Sequence, residues 1–266
     1  MSRLAAASTW VGRRRASYLA GVLHTFRPRR LSSAEPRWTR LRGARSSIPR
    51  SGTEDVDLIW RLHEAGWRIR YVPSVQVPHD IPATWRGLLA RRFRYGTSAA
   101  PLARRHPANL APLVLQPWPA ATVCAALARR PVATAAGTAA AWLNITAAVR
   151  RAGVPADGAP AAALVAIRQT WLGIGRYAAQ FAGPALLAGL AVPGPRGRRA
   201  AAASLLLGPP LTAYAERKPQ LDPLRYALAH IADDVCYGAG VWTGCLRERT
   251  LVPVTPVISW RPVRKV

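Results

Sequence analysis

Three carboxylates crowd one short stretch of the chain, Gly52-Thr53-Glu54-Asp55-Val56-Asp57-Leu58-Ile59-Trp60-Arg61-Leu62. Acidic groups at a helix start are held ionised by the partial positive charge of the helix N-terminus. An ionised carboxylate within reach of an acceptor hydroxyl can take its proton as a general base. Asp55 is the candidate for that work; the bland alternative is that these carboxylates only cap the helix. A second cluster is His230, Asp233 and Asp234, spaced to share a face of a helix expected from Leu221 to Val241. That face could bind a metal or form a polar stripe near a membrane surface. Cys124, Cys236 and Cys245 lack zinc-ligand spacing and are too few for a disulfide scaffold. The chain has no glycine-rich dinucleotide motif, no phosphate-binding loop and no serine nucleophile elbow.

The elements that must position Asp55 are short and well punctuated. Val56, Ile59 and Leu62/His63 recur at helical spacing, which predicts a helix opening at Glu54 with Thr53 as its N-cap. Ala65-Gly66 ends it, with Gly66 as the residue free to turn left-handed. Trp67-Arg68-Ile69-Arg70-Tyr71-Val72-Pro73 alternates apolar and polar and reads as a strand, continuing extended to His79-Asp80. Trp85, Leu88, Leu89, Arg91, Arg92, Phe93, Arg94 and Tyr95 then form a basic amphipathic helix whose aromatic rings could lie in a headgroup layer. Three regions follow: an Arg-rich, poorly ordered segment over 1–50, a compact α/β piece over 51–106, and a helical, membrane-associated tail over 107–266.

Composition bears on the tail. Lys plus Arg number 38 against 12 Asp plus Glu, a net charge of +26, and Lys218 and Lys265 are the only lysines. A hydrophobic share of 50% excludes a disordered basic tail. Arginines come as pairs, among them Arg129-Arg130, Arg150-Arg151 and Arg198-Arg199, which bracket uncharged runs. Such a layout suits an anionic lipid surface, where each arginine contributes about 1 kcal/mol, more than it suits a nucleic-acid groove. Pro107–Ala128, Pro131–Val149, Tyr177–Pro195 and Ala200–Ala215 are candidates for the ~20 residues a bilayer crossing requires. Each is marginal, because alanine and threonine replace the larger aliphatic residues through much of their length.

The string from Gly52 to Leu62, with Gly66-Trp67-Arg68-Ile69-Arg70-Tyr71-Val72-Pro73 and Val77-Pro78-His79-Asp80, resembles the C-terminal part of family 2 inverting glycosyltransferases of the GT-A fold. Arg92-Phe93-Arg94-Tyr95-Gly96-Thr97-Ser98 and Pro101-Leu102-Ala103-Arg104-Arg105-His106-Pro107 extend the likeness to the mycofactocin-system branch of that family. The resemblance implies an α/β fragment of a GT-A domain followed by a mostly α-helical membrane-associated region. It implies Asp55 as catalytic base and Glu54 as its neighbour in acceptor binding. It also implies His79 facing a metal-diphosphate, and a divalent cation, Mg or Mn. UDP-glucose as donor and pre-mycofactocin as acceptor follow from the same likeness, as does work on the cytoplasmic face of the cell membrane. Arg91, Arg92 and Arg94 could neutralise the donor diphosphate; an equally open role is a solvated or lipid-facing stripe.

One departure shapes the expectation. Glu35 is the only acidic residue before Glu54, so no Asp-x-Asp precedes the Glu-Asp pair and the family's metal-ligand motif is missing from this chain. The chain reads as a truncated copy or one with a misplaced start, inactive alone because leaving-group stabilisation would be lost. The rival reading is a non-catalytic basic protein that binds membrane or nucleic acid.

Overall fold

The computed structural model describes residues 54–67, 69 and 82–260. The expected Thr53 cap, the strand through Pro73, His79 and the segment over 1–50 lie wholly or mostly outside them. The described residues are mostly helical and fall into two compact units.

The first unit runs to Leu110 and takes in Gly240–Val252. Its opening helix, α1, spans Glu54–Glu64. Gly66 stops it at φ +82°, with the Gly66 N–H donated to His63 O and the Trp67 N–H to Leu62 O. This paired closure is the one expected of a glycine just past the last turn. Helix α2, Trp85–Thr97, starts on Thr84, whose hydroxyl accepts from Gly87 N at 3.1 Å. At its end the Thr97 and Ser98 hydroxyls donate back to Arg94 O and Tyr95 O, and the chain restarts as α3, Ala99–Arg105. Ala99, Ala100, Leu102 and Ala103 are buried there.

The last helix of the chain, α9 (Pro223–Glu248), contributes its residues from Gly240 onward to this unit. A Cβ at Gly240 would sit 2.0 Å from the Phe93 carbonyl oxygen, so only glycine permits the approach to α2. Buried Val241 and Cys245 fill the space beside it, and Arg104 pairs with Glu248 at 3.2 Å.

The second unit holds 111–239 and the described residues from Pro253 onward. Its helices are α4 (Pro117–Leu127), α5 (Pro131–Arg151), α6 (Ala159–Phe181), α7 (Gly183–Ala191), α8 (Arg196–Arg217) and α9 up to Ala239. Proline opens α4 to α7, where its missing N–H costs nothing. Two residues of β1, Val114–Leu115, pair in parallel with β2, Val257–Ile258. Core positions are small, among them Ala141, Ala159, Ala163, Ala179 and Ala202, so α4 packs on α5, and α6 on α5 and α8, with little side chain between them. Pro209 inside α8 cannot donate to Leu205 O, and that carbonyl lies where a Gly175 Cβ would be, at 2.6 Å.

Two expected membrane runs do not form single helices. Pro107–Ala128 yields only the 11-residue α4, about 17 Å long and too short to cross a bilayer. Tyr177–Pro195 is broken at Ala182, where α6 ends and α7 begins. Ala200–Ala215 lies within α8, behind Arg196, Arg198 and Arg199. Among the described helices, α5 is the one long and apolar enough to cross a membrane.

Candidate active site

Helix α1 carries two aspartates with different surroundings. Asp55 is exposed in the first turn, and its Oδ1 accepts from Val56 N at 2.9 Å. Asp57 is 1% exposed, though two residues along a helix stand about 200° apart around its axis. The pair therefore shares Asp-x-Asp spacing without the common face that ligands to one ion require. Among the described residues, no group of three or more His, Cys, Asp or Glu could hold a metal ion. The described residues do not by themselves supply a ligand set for the divalent cation implied by resemblance.

Asp57 is buried because it has partners. His106, which follows α3, places Nε2 3.0 Å from Asp57 Oδ1 and Nδ1 2.7 Å from Glu64 Oε1. Ionised carboxylates only accept, so this geometry, with a carboxylate on each ring nitrogen, favours the doubly protonated imidazolium donating from both. Burial works against that charge, but the hydrogen bonds that His106 donates to the two carboxylates, with their negative charge, outweigh it and raise the His106 pKa above its ordinary value. Burial likewise opposes the Asp57 charge. The His106 hydrogen bond, followed by the Arg105 and Arg61 guanidinium groups, prevails and holds its pKa below the usual value. Those two arginines stand 3.5 Å from Asp57 oxygens, Asn109 donates to Glu64 at 3.1 Å, and Trp60 meets the imidazole edge-on at 5.3 Å.

The cluster ties α1 to the end of α3 and so fixes the direction in which the first turn of α1 presents Asp55. Sequence reasoning put Asp57 among the first-turn acids and missed this role. The helical spacing of Asp57, Arg61 and Glu64 was the available signal; His106, 49 residues from Asp57, gave none.

Other expected site residues are placed as follows. Glu54 opens α1. Arg91 and Arg92 are half-buried on α2 and Arg94 is exposed. His79 lies outside the described residues. The metal reading of His230, Asp233 and Asp234 is corrected: Asp234 is 2% exposed and accepts from Arg176 Nε at 3.0 Å and Gln180 Nε2 at 2.7 Å. His230 adds an ion-pair contact at 3.3 Å. Asp234 is thus committed to joining α9 to α6 within the second unit.

The pre-mycofactocin glycosyltransferases of Mycobacterium tuberculosis strains CDC 1551 / Oshkosh and ATCC 25618 / H37Rv are each 36% identical to this chain over 228 residues. Each alignment takes in 77% of this chain and 45% of the relative, so the chain spans less than half the length of the curated relatives it matches. No solved structure matches it. Residues 6–190 match the profile described as Glycosyl transferase family group 2, well over half of the chain, and the protein belongs to that family.

Proposed function

We propose that these 266 residues form the acceptor side of an inverting family 2 glycosyltransferase, with Asp55 as the base. The observation that carries this reading is the contrast between the two aspartates: one locked in a buried ion cluster, the other held exposed at a helix N-terminus. Asp55 Oδ1 is engaged by the Val56 N–H, and Oδ2, which accepts from none of the described residues, is assigned to an acceptor hydroxyl. The hydroxyl oxygen attacks the anomeric carbon as its proton passes to Asp55, the bond to the nucleoside diphosphate breaks, and configuration inverts. Glu54 assists acceptor binding. Arg91, Arg92 and Arg94 are assigned to the departing diphosphate, and His79 is given, by resemblance alone, to the metal-diphosphate.

UDP-glucose is proposed as donor and pre-mycofactocin as acceptor, supported by the identity to relatives that carry that name. A GT-A arrangement for the family 2 domain belongs to the same reading. A membrane location with the catalytic part on the cytoplasmic face is supported by the apolar α5 and by the charge of +26. The match to an enzyme family disfavours a purely non-catalytic basic module.

The test is UDP release from UDP-glucose with pre-mycofactocin as acceptor. The 266-residue polypeptide alone should give none, since an acceptor-side base without donor-side groups does not stabilise the leaving group. Joined to the amino-terminal part of the M. tuberculosis relative, it should turn over. Asp55-dependent turnover by the polypeptide alone, or none from the joined protein once it is shown to fold, would refute the reading.

A further inference from the structure

Among the described residues, nothing packs over one apolar stripe of helix α5. Val132, Ala136, Ala139, Leu143 and Ala147 recur at three- and four-residue spacing and are all exposed, Val132 at 83% and Leu143 at 63%. Arg129-Arg130 stand just before the helix and Arg150-Arg151 close it. An apolar stripe with cations at both ends matches a bilayer surface bearing anionic headgroups, both in hydrophobicity and in charge.

By length α5 could instead cross the bilayer, but its neighbour argues against that. Helix α6 returns after a short connection and packs alongside α5. It carries Arg168 and Arg176, whose side chains are 41% and 51% exposed, and Arg168 pairs with Glu216, itself 60% exposed. At 1.5 Å per residue, Arg168 sits about 14 Å along α6 from Ala159, near half the length of α5. A transverse α5 would therefore carry an outward-facing Arg168–Glu216 pair to the depth of the hydrocarbon centre, where charges are tolerated only when turned inward. Trp142 and Asn144, exposed near the midpoint of α5, would share that depth, although tryptophan favours the interface.

We propose that α5 lies in the plane of an anionic membrane, with its Val132–Ala147 stripe in the acyl boundary and its terminal arginine pairs on lipid phosphates. The inference rests on the membrane location proposed above and specifies how the chain is held there. It leaves Arg168, Arg176 and Glu216 in water or among headgroups, and both ends of α5 on one side of the bilayer.

The test uses the full chain carrying Cys124→Ala and Cys236→Ala, with buried Cys245 kept and Ala128→Cys or Ala152→Cys added at opposite ends of α5. It is mixed with sealed phosphatidylcholine vesicles, with or without phosphatidylglycerol, and treated with a membrane-impermeant maleimide. Flotation with the anionic vesicles should exceed that with neutral ones by about tenfold. Both cysteines should label to the same extent before and after the vesicles are lysed. A bilayer-depth quencher series on a fluorophore at Leu143→Cys should place it near the headgroups. Protection of one end until lysis would overturn the in-plane arrangement and leave the membrane location standing. Failure to float with anionic vesicles would overturn both. Shielding of Leu143→Cys by self-association without vesicles would assign the stripe to a second copy and overturn the proposal.

Discussion

Replacing His106 by leucine should unfold the first unit more readily, and the size of the effect follows from what the change strands. Asp57, 1% exposed, would lose its closest partner, the 3.0 Å contact to Nε2. Removing one member of a buried charge pair costs about 3–5 kcal/mol, mostly because the other charge stays behind. Arg61 and Arg105 remain at 3.5 Å and recover part of this. Glu64 is half exposed and adds little, as water replaces the imidazole. A net loss of about 3 kcal/mol follows, or roughly 6–12 °C in Tm for a chain of this size. The assay is thermal unfolding in detergent, read by circular dichroism and by limited proteolysis within α1. Asp57→Leu combined with His106→Leu should cost clearly less than the sum of the two single changes, because the double variant buries no unpaired charge. A His106→Leu protein as stable as the parent, or strict additivity in the cycle, would refute the assignment of the imidazolium as the partner that keeps Asp57 buried.

The same cluster sets a pH dependence of stability. His106 has a raised folded pKa, so its contribution is fully present below its ordinary value near 6.5 and is lost as pH rises through the raised value. Asp57 has a lowered folded pKa, so its contribution is present above its ordinary value of 3.8 and is lost as pH falls through the lowered one. Urea midpoints across pH should therefore show the cluster strongest between those two ordinary values, and His106→Leu should flatten the alkaline limb. Gly240→Ala would force a Cβ to 2.0 Å from the Phe93 carbonyl oxygen and should cost at least about 1–3 kcal/mol, seen as a lower unfolding midpoint. Asp234→Leu should destabilise the second unit by about 1–2 kcal/mol, since half-buried Gln180 loses its acceptor while half-exposed Arg176 turns to water, and added Mg2+ should leave the parent's melting temperature unchanged.

What could be read in advance depended on whether the deciding contacts were local. The start of α1 at Glu54 and its stop at Gly66 came from spacing and a single glycine, and both were legible. So was α2, through its Trp85-to-Tyr95 pattern. Asp57 was misread because a carboxylate in a first turn is ordinarily solvated; its burial is decided by His106 and Arg105, far along the chain. Hydropathy runs overstated the membrane segments for the same reason. Apolar content did not reveal that Pro107–Ala128 begins with turns and a short strand, or that Ala182 separates α6 from α7. The small-residue contacts of Gly175 and Gly240 were present in the sequence as glycines within helices, but their partners are set only by packing.

The central claim is that Asp55 takes the acceptor proton while Asp57 only holds the helix that presents it. It is tested most directly by single-turnover UDP release in the protein joined to the relative's amino-terminal part, comparing Asp55→Asn with its parent at matched melting temperature. Loss of a general base predicts a fall in rate of about 10²–10⁴-fold with little change in stability, because Asp55 is exposed and its carboxylate, among the described residues, accepts from the adjacent N–H. A rate within a few-fold of the parent would contradict the account.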